Sequence, residues 1–449
     1  MQVITSVVAF IVVIGILVTV HEFGHFWVAR RVGVQVLRFS VGFGRPLWRR
    51  VARDGTEYAI SAIPLGGYVK MLDEREGEVP ADQLEGAFNR KPLWKRNAVV
   101  VAGPLFNFLF AILAFWAILL IGETAVKPMV GAVTPNTPAA TAGFRQGDEI
   151  VSVGGESVKT WDDALVALLG KGTGESDLPV TVRTRGGDTV TRHLDVASIG
   201  PLGQDPDLLK ALGVRPLMPP SPPLIDSVSD GSAADRAGLK AGDRIYSVAG
   251  ESTGDWVDLV HALRAHAGKT VSVEVGDGDA RRTVSVSLPD DGILGVRRPP
   301  LSDPVYRDYV RTISYGPVAA SWHAVRKTWD RTALTVKMMW KMVVGQASVK
   351  NLSGPINIAQ YAGDSASLGL TPFLSFLALV SISLGVINLM PVPVLDGGHL
   401  LFNVIEWVRG GVPLSERAQG VGVQIGIALV MMLMAVAFYN DLVRIAGPG

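Results

Sequence analysis

The sequence predicts a multi-pass α-helical membrane protein whose spans are interrupted by a soluble α+β segment. Hydrophobic residues make up 48% of the 449 residues and charged residues only 18%. Four apolar runs are each long enough, at roughly 18 residues or more, to cross a bilayer as a helix. The mean hydropathy is held to +0.31 because residues 126–300 have the composition of a soluble protein.

Composition also limits the chemistry and the partners. The chain has no cysteine, so disulfides and thiolate metal ligands are excluded and any zinc must be held by His, Asp or Glu. The net charge of +1 gives no sign of a nucleic-acid partner, and we expect none.

The first apolar run, residues 3–20, continues directly into the motif HEFGH. Residues four apart share one face of a helix, so His21 and His25 can bind the same ion while Glu22 reaches a water beside it. HExxH on a helix is typical of zinc hydrolases, and polar residues inside a membrane span are costly enough to indicate function. With no basic region before it and no cleavage site after it, we interpret the run as a retained span.

The segment between the first two spans, residues 29–97, holds more Lys and Arg than Asp and Glu. The positive-inside rule therefore places it in the cytoplasm, with the N-terminus and everything after about residue 122 on the opposite side. Within it, residues 57–71 alternate loosely and include Gly66 and Gly67, which predicts a short β-hairpin or strand-loop. The second span covers residues 98–121.

The soluble segment contains an internal repeat. Residues 142–150 (AGFRQGDEI) return as residues 237–245 (AGLKAGDRI), and Trp161 returns at the same spacing as Trp256. Each copy predicts a strand, a short helix, a Gly-Asp turn, a strand, a turn, a helix and a strand. The pattern resembles a pair of PDZ domains of the bacterial type, joined by a proline-rich spacer at 216–223.

Two further spans follow a helical segment. Residues 303–350 mix helix-forming residues with Trp322, Trp329 and Trp340, which predicts either an interfacial amphipathic helix or a helix packed on the repeats. The third span covers about residues 370–390 and the fourth about 419–438. Four spans put both termini on the non-cytoplasmic side.

A hydrolytic zinc takes three protein ligands and leaves one position for water, so the two histidines need a third ligand. The best candidate is Asp396, which follows the third span within the sequence PVPVLDGG. Irregular backbone at this depth is tolerated only when it is buried in protein or lines a cavity. His399 is a less favoured ligand, and we interpret Gly103 and Asn107 of the second span as packing residues.

HEFGH in a first span, NLMPVPVLDG at 388–397 after a later one and PDZ-like repeats between them resemble the site-2 protease family of intramembrane metalloproteases. The resemblance covers essentially the whole chain. It implies Zn2+ bound by His21, His25 and Asp396, Glu22 as the general base, and Asn388 as a catalytic residue that holds the substrate backbone or stabilises an oxyanion.

The resemblance also implies a membrane-associated β-loop at 57–71 that pairs with an unwound substrate strand. The implied substrate contacts are Ile60, Ala62, Gly66, Gly67, Tyr68, Asn388 and Pro393. The implied segments are two spans with the β-loop at 1–125, PDZ domains at 126–216 and 222–300, amphipathic or linker helices at 301–369, and two spans at 370–449.

The implied protein is an endopeptidase of the bacterial inner membrane, with periplasmic PDZ domains and an active site near the cytoplasmic side. Its expected partners are the bilayer and single-span substrates, including an anti-sigma factor and remnant signal peptides. The PDZ domains would bind periplasmic peptides or proteins, or act as a size filter. Two alternatives are a membrane-anchored PDZ scaffold with a vestigial metal site and a metal transporter, although a transporter would spread ionisable residues along its spans.

Overall fold

The structure is a computed structural model that describes residues 2–75, 77–171, 175–199, 208–217, 222–277, 280–299, 307–346 and 353–446. Helices dominate both ends of the chain and strands dominate its middle. The α-helices are α1 (Gln2–Arg31), α2 (Leu93–Ile121), α3 (Pro138–Thr141), α4 (Trp161–Lys171), α5 (Leu208–Leu212), α6 (Ala233–Arg236), α7 (Trp256–Ala265), α8 (Pro317–Val343), α9 (Pro355–Leu368), α10 (Leu370–Asn388), α11 (Asp396–Val408) and α12 (Glu416–Ala446).

The strands lie between α1 and α8. They are β1 (Val36–Val51), β2 (Glu57–Met71), β3 (Glu123–Val126), β4 (Val130–Val133), β5 (Glu149–Val153), β6 (Glu156–Ser157), β7 (Leu178–Arg183), β8 (Thr189–Leu194), β9 (Val214–Pro216), β10 (Ser227–Val228), β11 (Arg244–Val248), β12 (Glu251–Ser252), β13 (Thr270–Asp277), β14 (Ala280–Ser287), β15 (Val296–Arg297) and β16 (Val310–Ile313).

Four helices, α1, α2, α10 and α12, are long and apolar enough to cross a membrane, which agrees with the four predicted spans. Helix α2 is central and packs against α1, α8, α10 and α11. Since lipid tails are as apolar as Leu, helices in a membrane associate mainly by close packing of small residues. Ala111 of α2, Ala324 of α8 and Ala378 of α10 are fully buried here, around Phe115 and Ile118.

The segment after α1 differs from its prediction. Residues 57–71 form one bent strand, β2, and not a hairpin of their own; their partner β1 was not predicted. Val41 of β1 pairs with Ile60 on one side and with Gly67 on the other, so the first half of β1 lies between the two halves of β2. The reason is that Gly66, with φ of 126°, bends the strand without ending it.

The two repeats have matching topologies, and their element order agrees with the predicted one. Each has a four-stranded antiparallel sheet, ordered β6-β5-β7-β8 and β12-β11-β13-β14, and a separate strand pair, β4-β9 and β10-β15. Each encloses its own core, with Ile150 buried in the first and Ile245 in the second. The proline-rich spacer lies partly outside the described residues.

Helix α8 packs on the first repeat, as one of the two predictions for the Trp-containing segment states, and the interfacial position stays a prediction. One face packs on α2 and on α4 of the first repeat, where Arg331 is ion-paired with Asp162. Trp322, Trp329 and Trp340 are 68%, 70% and 65% exposed, so the packed face of α8 leaves them uncovered.

Strands β3 and β16 form a neck at the base of the repeats. They pair antiparallel, with Val126 opposite Val310 and Glu123 opposite Ile313. The chain therefore enters and leaves the repeat region at adjacent points, directly after α2 and shortly before α8.

Candidate metal centre

Three side-chain donors converge where α1 meets α11. His21 and His25 are buried one turn apart on α1, and Asp396 is the first residue of α11. Nε2 of His21 lies 3.2 Å from Nε2 of His25 and 3.2 Å from Oδ2 of Asp396. Nε2 of His25 lies 3.5 Å from the same oxygen, so the donors form a nearly equilateral triangle.

The triangle has the size that a tetrahedral zinc ion requires. Zinc–ligand distances of about 2.0–2.1 Å place neighbouring ligands about 3.3 Å apart. Nδ1 of His25 donates to the Val99 carbonyl at 2.8 Å, which leaves Nε2 of the neutral ring unprotonated. Oδ2 of Asp396 is buried and accepts no hydrogen bond from the described residues. Lone pairs this close repel one another unless a cation lies between them, so these residues fit zinc.

Helix α2 holds both imidazoles in place. Val99, Gly103 and Asn107 are four residues apart and share one face. Val99 bonds His25, and Nδ2 of Asn107 lies 3.1 Å from Nδ1 of His21. Between these contacts, a Cβ added at Gly103 would lie 2.3 Å from Nε2 of His25 and 2.8 Å from Cε1 of His21. Only glycine leaves room for the two rings at this position.

An irregular turn after α10 brings Asp396 to the histidines. Pro393 within this turn lies directly beneath α11, since a Cβ added at Gly398 would lie 2.3 Å from Cα of Pro393. The first turn of a helix favours a carboxylate through the helix dipole. Asn388 ends α10, and its amide forms no hydrogen bond with the part of the chain that the structure describes. That amide is therefore available to a ligand.

Glu22 faces the last part of β2. A Cβ added at Gly67 would lie 3.1 Å from Cγ of Glu22 and 2.7 Å from the carbonyl oxygen of Ser40, so the strand passes directly against this side chain. This half of β2 pairs with β1 on one side alone among the described residues, so its outer edge is unpaired.

The predicted substrate contacts fall into two groups around this edge. Gly66, Gly67 and Tyr68 lie on the outer half of β2, where Gly67 is the residue directly against Glu22. Ile60 is paired with β1 on both sides, so its backbone has no place for a further strand, and Ala62 is exposed near the bend. Contact with substrate stays a prediction for all of them.

A donor triangle with a carboxylate beside it, set among membrane-spanning helices, defines a membrane-embedded metallohydrolase.

A profile of peptidase family M50 matches residues 9–433. The chain is 44% identical to regulator of sigma-E protease RseP of Salmonella typhimurium, over 99% of this chain and 100% of that protein. It is 44% identical to the protein of the same name from Escherichia coli, over 97% and 98%, and 43% identical to a putative zinc metalloprotease of Vibrio cholerae, over 98% of each.

The chain therefore belongs to peptidase family M50 and is similar to RseP along nearly its whole length. It is a zinc metalloprotease of the site-2 type, the type that acts in regulated intramembrane proteolysis, and its four apolar helices indicate an inner-membrane protein. The scaffold and transporter alternatives are thereby set aside.

Proposed function

We propose that this protein is an intramembrane endopeptidase that cuts the membrane-spanning segments of single-span proteins. The observation that carries the proposal is the position of the donor triangle: two of its members and Glu22 lie on α1, which is itself long and apolar enough to span. A peptide bond that reaches these residues has to lie at membrane depth.

In this proposal His21, His25 and Asp396 hold the zinc ion, which supplies Lewis acidity and lowers the pKa of water. Glu22 takes the proton of the attacking water and later passes it to the leaving amine. The Asn388 amide donates a hydrogen bond to the carbonyl oxygen of the scissile bond, where negative charge develops.

The outer edge of β2 would present the substrate. A helix hides its peptide bonds, so a membrane-spanning substrate must unwind before it is cut, and an extended segment can add to a free strand edge. Gly66, Gly67 and Tyr68 on that edge bring such a segment alongside Glu22. Pro393 would contribute by shaping the turn that carries Asp396.

We further propose that residues 29–97 and the active site lie towards the cytoplasm, with both termini and two PDZ domains, at 126–216 and 222–300, in the periplasm. The basic composition of residues 29–97 supports this orientation. The names of the relatives refer to sigma E, which supports an anti-sigma factor as substrate. The repeats would then exclude substrates with bulky periplasmic domains.

The experiment uses purified full-length protein and a synthetic transmembrane peptide, with products mapped by mass. We expect cleavage that a zinc chelator stops. Glu22→Gln should retain zinc and lose cleavage, Asp396→Ala should lose both, and Glu85→Gln, at an exposed residue, should lose neither. Cleavage by Glu22→Gln at the normal rate would overturn the assignment of Glu22.

A further inference from the structure

The contact between the Asn107 amide and His21 can run in either direction. Val99 offers His25 a carbonyl oxygen, which can only accept, so the proton of His25 must lie on Nδ1. A side-chain amide instead has a donor end and an acceptor end of the same shape, and half a turn about its last torsion exchanges them.

The two orientations have opposite consequences for the metal. If Nδ2 donates to His21, then Nδ1 of His21 is the acceptor and the ring proton lies on Nε2, inside the triangle. If Oδ1 faces His21, the proton lies on Nδ1 and Nε2 has a free lone pair. Only the second orientation allows His21 to be a ligand.

The amide has the acceptor needed for the second orientation. Oδ1 of Asn107 is buried and has no hydrogen-bond partner among the residues that the structure describes. The residue is 0% exposed, and its backbone carbonyl oxygen accepts a hydrogen bond from the Ser381 hydroxyl at 2.8 Å. Ser381 lies on α10, the helix that leads into the Asp396 turn, so Asn107 is held from both sides.

We propose that Asn107 is a positioning residue of the zinc site. Its amide oxygen accepts the Nδ1–H of His21 and so keeps Nε2 of His21 unprotonated towards the metal. Partners of this kind fix the tautomer and orientation of metal-binding histidines. The inference rests on the proposed ligand set of His21, His25 and Asp396.

The test compares zinc affinity, by competition with a chelator, across variants of the purified full-length protein. Asn107→Leu removes the acceptor and should weaken zinc binding by about 10- to 100-fold. Asn107→Asp retains an acceptor but no donor and should bind zinc at least as tightly as the unchanged protein. The matched control is Asn440→Leu, which removes another buried amide on α12, a helix that carries none of the three donors, and should leave zinc affinity unchanged.

A second measurement uses the unaltered zinc-loaded protein with labelled histidine ring nitrogens. NMR should show a protonated Nδ1 for His21, assigned by the signal that His21→Ala removes. An unprotonated Nδ1, or an Asp variant as weak as the Leu variant, would overturn the inference. If His21→Ala keeps full zinc affinity, the proposed ligand set is wrong. If His21→Ala loses zinc and Asn107→Leu keeps it, the ligand set stands and the proposed role of Asn107 is wrong.

Discussion

Arg96 and Glu406 form a two-pronged ion pair that fastens α11 to α2. Nη2 of Arg96 lies 2.5 Å from Oε1 of Glu406, and Nη1 lies 3.2 Å from Oε2. The two side chains are only 12% and 13% exposed. Since Asp396 begins α11 and α2 holds both imidazoles, this pair fixes the third donor relative to the other two.

Loss of one member of this pair should be costly. Glu406→Ala leaves the Arg96 guanidinium buried without its partner, which should lower the free energy of unfolding by about 3–5 kcal/mol. Thermal unfolding in detergent measures the loss. The control is Glu74→Ala, which breaks an ion pair whose Arg90 partner is 52% exposed, and its melting temperature should stay close to that of the unchanged protein. Equal melting temperatures for the two variants would contradict the prediction.

Gly103→Ala should abolish stoichiometric zinc. The added methyl group lies within 2.3 Å of Nε2 of His25, so the ring must leave the triangle or α2 must withdraw. Metal analysis of the purified variant checks this. The matched control is Gly15→Ala on α1, where an added Cβ meets nothing within 4 Å. Full zinc occupancy in Gly103→Ala would show that α2 does not pass as close to the His25 ring as described.

Gly67→Ala should separate catalysis from metal binding. Its methyl group meets the carbonyl oxygen of Ser40 at 2.7 Å and Cγ of Glu22 at 3.1 Å, so the strand edge must move away from Glu22. A shift of about 1 Å can reduce turnover by about 100-fold, while zinc content should be unchanged. Peptide cleavage rates measure the effect, with Gly77→Ala in an open loop as the control. Unchanged turnover in Gly67→Ala would argue against this edge as the substrate position.

Asp441→Ala should detach the start of α9. The Asp441 carboxylate on α12 is 2% exposed and accepts backbone hydrogen bonds from Gly354 at 2.9 Å, Ile356 at 3.0 Å and Asn357 at 3.1 Å. Removal of a helix cap lowers the free energy of unfolding by about 0.5–2 kcal/mol. Because this carboxylate accepts three hydrogen bonds, we expect a loss of about 2 kcal/mol. Thermal unfolding should show the loss for Asp441→Ala and almost none for Asp364→Ala, at an exposed residue of α9.

The parts of the site that depend on spacing along one element were predictable from the sequence. His21 and His25 are one turn apart on any helix, and an Asp before two glycines after a later span was the natural third donor. The apolar runs likewise predicted the four spans, because length and composition alone decide whether a helix can cross a bilayer.

The parts that depend on a second element were not predictable. The contact between His25 and Val99 uses a backbone carbonyl, which every residue has, so no side chain marks it. Asn107 looked like a packing residue because its partner lies 86 residues away. The pairing of β1 with both halves of β2 depends on a bend at Gly66, and the loose alternation of residues 57–71 does not encode that bend.

The neck formed by β3 and β16 bears on how this protein can evolve. Everything between residues 127 and 309 begins and finishes at neighbouring points, so modules gained or lost there change the size of the appendage without stretching the path from α2 to α8. The number of such modules can therefore change without displacing the helices that carry the donor triangle.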